Sequence, residues 1–111
     1  MARYTYTILS RSKPGREEEY EAWYRSRHIE DVAKMPGVVG ARLFKLDFQR
    51  VYDLDAPHYD LMTIYELECE DPEAAIDAIK AASGSDAMPG TDALDKSGMI
   101  QVAGHLIAAK E

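Results

Sequence analysis

The stretch Trp23-Tyr24-Arg25-Ser26-Arg27-His28 holds the side chains best suited to chemistry. Tyr24 and His28 are four residues apart, a spacing that stacks them on one face of a helix. An imidazole beside a phenol at the edge of an apolar space can move a proton near neutral pH. Burial and neighbours tune a histidine, so the pair could act on an acidic C–H or a phenolic O–H. His28 would be the general acid or base. Tyr24 would orient it, or donate a hydrogen bond to a developing enolate or phenolate. Trp23 borders the pair as a candidate substrate contact. The plainer alternative is a satisfied helix histidine with Tyr24 filling core, since both residue types commonly sit at intermediate burial.

Other polar side chains extend this set. Arg42 shares the parity of Phe44 and Leu46, where a buried guanidinium needs an anion. That anion is either a substrate carboxylate held in a bidentate way or a structural partner, Asp31 or Glu66. Tyr6 and Tyr65 offer phenol donors to a carbonyl or hydroxyl, or simply fill core with the hydroxyl at the rim. His105 lies beside Gln101 on the parity opposite the apolar face of the last strand, so it could meet the cavity, a second sheet or water. His58 follows Pro57 in a loop and is expected to be exposed.

Several chemistries lack support. Three scattered His and the single Cys69 show no ligand spacing, so no metal site is expected. A lone helix histidine can ligate haem iron, but nothing indicates a haem-sized pocket. No Gly-x-Gly-x-x-Gly or phosphate loop occurs, so no nucleotide cofactor is expected. Ser10, Ser12 and Ser26 lack a recognisable nucleophile setting.

The elements that must position these residues can be read from periodicity. Tyr4 to Ser10 alternates as a strand, and Ser12-Lys13-Pro14-Gly15 breaks it. Glu17, Glu18 and Glu19 suit the positive end of a helix dipole. From there to Met35, Tyr20, Tyr24, Arg27, His28, Asp31, Val32 and Met35 share one broad helical face, and Pro36-Gly37 ends it. Val38 to Arg50 reads as a strand with Val38, Phe44, Leu46 and Phe48 on one parity and Val39, Ala41 and Leu43 on the other. Residues 51–58 read as a hairpin loop, and Tyr59 to Cys69 as the next strand. Asp71-Pro72-Glu73 starts a helix that Ser83-Gly84 closes. Residues 85–98 read as irregular, and Ile100 to Ala108 as the last strand.

The order strand-helix-strand-strand-helix-strand predicts a ferredoxin-like α+β fold: a four-stranded antiparallel sheet with both helices on one face. The strands are apolar on both parities, so the second face also needs a cover. A second copy of the sheet is the simplest one, which predicts a homodimer.

Composition sets the frame. The chain has 111 residues, 13 basic and 20 acidic, with net charge −7. That length suits one domain spanning 1–111. The acidic balance and lack of clustered Lys and Arg oppose nucleic-acid binding. No apolar run is long enough to span a membrane. The start leads straight into a strand pattern rather than a signal-peptide core, which sets the expectation of a cytoplasmic protein. Seven Tyr beside one Trp and two Phe is the unusual item.

Strand, Lys-Pro-Gly turn, a helix with an aromatic pair and a His four residues after Tyr24, and a Pro-Gly-Val strand resemble the EthD-like dimeric α/β barrel proteins. The element order covers nearly the whole chain, and the specific motif lies between Pro14 and Arg42. The resemblance implies a dimer whose two sheets form a barrel, with a small-molecule cavity between helices and sheet in each subunit. The family's helix histidine maps onto His28. Family members often have Pro two residues after that histidine, where this chain has Glu30.

The superfamily includes muconolactone-type isomerases, cofactor-independent monooxygenases, and polyketide cyclases and decarboxylases. The resemblance therefore implies a cofactor-independent enzyme acting on a small aromatic, lactone or polyketide-like metabolite, in a catabolic role. A dimeric binding or accessory protein for an oxygenase pathway is the alternative.

Overall fold

The computed structural model describes residues 1–52 and 59–111. The reading of His58, and most of the loop read at 51–58, lie outside the described residues.

Strand β1 (Ala2–Ser12) occupies the middle of the sheet, pairing antiparallel with β3 (Leu61–Cys69) on one side and β4 (Leu94–Gly104) on the other. Strand β2 (Val38–Lys45) pairs antiparallel with the outer edge of β3. The order β2-β3-β1-β4 is the ferredoxin-like arrangement expected from the order of elements.

Helix α1 is continuous but not uniform. It has an α-helical segment, Glu17–Trp23, a π-helical turn, Tyr24–His28, and a second α-helical segment, Ile29–Ala33. Its start is acidic at Glu17, Glu18 and Glu19, which complements the helix dipole. It ends at Ala33, and the turn that follows closes at Gly37, whose φ of 87° favours glycine. A Cβ there would also lie 3.4 Å from the Glu68 carbonyl oxygen. Helix α2 (Pro72–Ala82) is capped as its sequence predicts: the Asp71 carboxylate accepts from the Glu73 and Ala74 amides at 3.0 and 3.2 Å.

Both helices cover one sheet face. Tyr6 and Ile8 of β1, Tyr65 and Leu67 of β3, Val32 of α1, Ile79 of α2 and Met88 form one core cluster. Tyr20, Tyr24, Leu61 and Ala93 form a second. The opposite face carries Thr7 and Leu9, Met62 and Ile64, Arg42 and Phe44, and Ile100 and Val102, as the pairing registers require. Among the described residues no element covers it, and Val102 is 56% exposed.

Several boundaries differ from the sequence expectation, among them the end of the last strand, at Gly104 rather than Ala108. Strand β2 stops at Lys45 rather than continuing to Arg50. Beyond it the Gln49 side chain takes over, donating to the Tyr59 carbonyl and accepting from its amide at 2.8 and 3.0 Å. Strand β4 begins at Leu94, within the segment read as irregular. An irregularity in its pairing with β1, between Leu9 and Arg11, allows it to include Gly98 at φ 73°. A similar shift between Val38 and Gly40 moves Val38 onto the helix side with Ala41 and Leu43. A bulge of this kind adds a residue to one strand and reverses side-chain parity beyond it.

Candidate functional site

The π-helical turn is the local feature that assembles the site. The Ile29 amide donates to the Tyr24 carbonyl, five residues back instead of the four of an α-helix. In an α-helix Trp23 and His28 would point about 140° apart, since each residue turns the chain by about 100°. The wider turn brings them into register. Their rings stack with centroids 4.4 Å apart and planes 18° apart. Tyr24 meets the same imidazole edge-on at 4.9 Å. Single π turns of this type recur at functional sites.

Behind these rings lies a phenol network. Tyr24 and Tyr65 share a buried hydroxyl–hydroxyl hydrogen bond of 3.1 Å, and the Tyr20 hydroxyl donates to Ser10 Oγ at 2.8 Å. The Tyr6 and Tyr65 rings lie 5.9 Å apart. Burial raises the phenols: Tyr6 is pushed up to about 12, and Tyr20, Tyr24 and Tyr65 also rise. All four are neutral hydrogen-bonding groups at physiological pH, not phenolate bases.

His28 moves the other way. Burial pushes it down to about 4, against a smaller opposing pull from the Asp31 carboxylate. The resting imidazole is therefore neutral, the form that accepts a proton. Its Nδ1 is buried with no hydrogen-bond partner, so no neighbour fixes the tautomer. Asp31 itself is buried and accepts from Arg27 Nε at 2.8 Å. Its negative charge would favour an imidazolium once formed.

Trp23, Tyr24 and His28 form part of the wall of a cavity of about 450 Å³ between the helices and the sheet. That volume is in the range that holds a small organic ligand. Tyr6, Ile8 and Ser10 contribute from β1, Ile79 and Lys80 from α2, and Lys96, Met99 and Gln101 from β4. The 83–93 segment closes another side with Ser83, Gly84, Gly90 and Thr91. Trp23 is tied to that segment by its indole N–H, which donates to the Pro89 carbonyl at 3.2 Å.

The structure thus brings Tyr6, Trp23, Tyr24 and His28 together around one cavity. Tyr65 is fully buried behind Tyr24 and reaches the cavity only through that phenol. Arg42 is on the other side of the sheet, opposite Ile64, where it is largely exposed and lies 3.9 Å from Glu66. Of the alternatives for this guanidinium, the geometry matches the structural pairing with Glu66, not a ligand in this cavity. His105 follows the end of β4, packs edge-on against Tyr4 at 6.4 Å and is exposed; it does not line the cavity either.

Lys80, Lys96 and Gln101 line the cavity without having been singled out by the sequence. Gln101 alone had a usable signal, because it interrupts an apolar run on β4. Among the described residues no three metal-ligating side chains converge, and no helix is long and apolar enough to cross a membrane.

Comparison with known proteins supports the fold. No family model matches the sequence, and no curated protein does so. Solved structures do. A Shewanella loihica PV-4 protein described as a putative monooxygenase aligns with a TM-score of 0.62 and 16% identity, covering 97% of this chain and 97% of its own. An ethyl tert-butyl ether D (EthD) family protein from Bacillus halodurans C-125 aligns with a TM-score of 0.58 and 16% identity, covering 94% of this chain and 99% of its own. The chain has the ferredoxin-like α+β fold and shares it with these two solved structures.

Proposed function

We propose that the protein is a cofactor-independent acid/base enzyme acting on a small aromatic, lactone or polyketide-like metabolite. One observation carries this reading: a neutral imidazole, lowered by burial, stands in the wall of a ring-lined cavity. His28 accepts a proton from an acidic C–H or O–H of the ligand. Asp31 then stabilises the imidazolium. Tyr24, backed by Tyr65, donates a hydrogen bond to the enolate or phenolate oxygen that develops. Isomerisation, cyclisation and monooxygenation of an activated carbanion each begin with this step; in a decarboxylation the carbanion forms by loss of CO₂, and the same imidazole, once protonated, would return a proton to it. The likeness to a protein described as a putative monooxygenase agrees with that group of reactions, and a catabolic role in the cytoplasm suits it.

The working unit in this reading is a homodimer. The open sheet face presents Val39, Phe44, Ile100 and Val102 to solvent in the single chain, and a second sheet would cover them. Sedimentation at micromolar concentration should show about twice the 12.4 kDa chain mass; a clean monomer overturns the dimer.

The catalytic reading is tested with ligands found by native mass spectrometry against hydroxyaromatic, lactone and polyketide-like compounds. Wild-type protein should exchange the acidic carbon-bound proton of a bound ligand for solvent deuterium, a readout that hydroxyl protons cannot give because they exchange with water unaided. His28→Gln and His28→Ala should lose exchange by about 10²-fold or more, typical for removal of a general base, while retaining binding. Unchanged exchange in both variants refutes a catalytic His28 and favours the dimeric binding or accessory protein instead.

A further inference from the structure

The cavity has a charge pattern opposite to that of the whole chain. The protein carries −7 net charge, yet among the described residues no Asp or Glu lines this space, whereas Lys80 and Lys96 both do. The two lysines come from different elements, the last turn of α2 and the early part of β4. Among the described residues neither is ion-paired. By contrast Arg3, Arg11, Arg16 and Arg27 each hold a carboxylate within 3.1 Å. Both lysines are exposed residues that border the cavity, and two ammonium groups without a carboxylate partner favour an anion at that border.

We propose that the ligand is a monocarboxylate on a flat ring, with its carboxylate at Lys80 and Lys96 and its ring against the Trp23–His28 stack. The polarity of the walls divides accordingly. Helix α1 supplies the rings, and α2 with β4 supplies the cations. Two features favour a monoanion over a phosphate ester. No arginine lines the cavity to form a two-pronged phosphate contact. In addition, the end of α2 at the cavity is its C-terminus, marked by Ser83 and Gly84, whose partial negative charge opposes a dianion. This assignment names the substrate class for the cavity of the proposed enzyme, but it concerns binding and does not depend on proton transfer.

Trp23 is the only tryptophan and lies in the cavity wall, so its fluorescence reports occupancy. Benzoate, benzamide and phenyl phosphate serve as probes of one ring and three charges. Benzoate should bind roughly tenfold more tightly than benzamide, the gain expected from two partly exposed charge contacts. That preference should weaken with added salt. The double variant Lys80→Gln/Lys96→Gln should reduce benzoate to the level of benzamide, and Lys80→Arg/Lys96→Arg should keep the preference.

Equal affinity for benzoate and benzamide, tighter binding of phenyl phosphate, or a preference unchanged in the Gln double variant overturns the proposal. Failure of all three probes to bind at millimolar concentration also overturns it. His28→Gln separates the two ideas. Loss of deuterium exchange with the benzoate preference intact supports both. An intact preference with exchange unaffected removes only the catalytic role.

Discussion

The layer between helices and sheet is built differently at its two ends. At one, Val32, Leu67 and Met88 meet as near-sealed aliphatic and thioether side chains. At the other, Tyr20, Trp23, Tyr24 and His28 meet as rings, three of them with polar tips engaged in hydrogen bonds. Branched and flexible side chains interdigitate to the density of an organic crystal. Flat rings pair either stacked, as Trp23 does on Tyr20 and His28, or edge to face, as Tyr24 does on the same rings, while their polar tips find partners. The 450 Å³ cavity borders the ring end, and Tyr6, Ile8 and Ile79 of the other cluster complete its wall. The two ends divide the work: the aliphatic end holds the sheet and helices together, and the aromatic end borders a cavity whose imidazole is held neutral by burial.

That division can be broken most forcefully at the aliphatic end. Leu67 is fully buried, so Leu67→Ala should cost about 2–5 kcal/mol in urea unfolding, the usual range for a buried leucine that leaves a cavity. A loss below about 1 kcal/mol would mean that this end is not the structural one.

The next effect sharpens the contrast through pH. The folded pKa of His28 is depressed from 6.5 to about 4. Between those values the unfolded chain binds the proton and the folded chain does not. The stabilising contribution of the neutral imidazole is thus fully present above pH 6.5 and is lost as pH falls toward 4. The full difference is on the order of 3 kcal/mol. Unfolding free energies at pH 7 and pH 4.5 should therefore converge less in the wild type than in His28→Gln: the wild type loses more stability on acidification than the variant. Parallel losses would show that His28 is not desolvated.

A smaller effect is expected within the phenol network. Tyr24→Phe leaves the Tyr65 hydroxyl, fully buried, without its partner and should cost about 1–3 kcal/mol. Ligand turnover should fall with it, whereas a purely packing role for Tyr24 would leave turnover unchanged in a variant that keeps the ring.

Much of the fold was legible in the sequence, and part of the site. Alternation in β1 and β3, the Asp71-Pro72 helix start and the Pro36-Gly37 stop each have a local cause. The helical spacing of Tyr20, Tyr24 and His28 likewise places them on the sheet-facing side. The Trp23–His28 stack was not legible, because it depends on a π turn that no residue type in Tyr24–His28 demands. Arg42 was assigned to an apolar parity correctly, but both faces of this sheet are apolar, so parity cannot say which one meets the helices. The bulges at Val38–Gly40 and in the β1–β4 ladder invert parity again, which explains why Gln101 faces the cavity and Ile100 does not. Lys80 and Lys96 are sixteen positions apart in chain order (96 − 80), and only the fold shows that they border one space.

The central claim is that His28 is a neutral, partly buried imidazole in the cavity wall. NMR titration of its ring resonances, assigned by their loss in His28→Gln, tests this most directly. The account predicts a midpoint near 4. A midpoint at or above 6.5, the value of a solvated histidine, would contradict it.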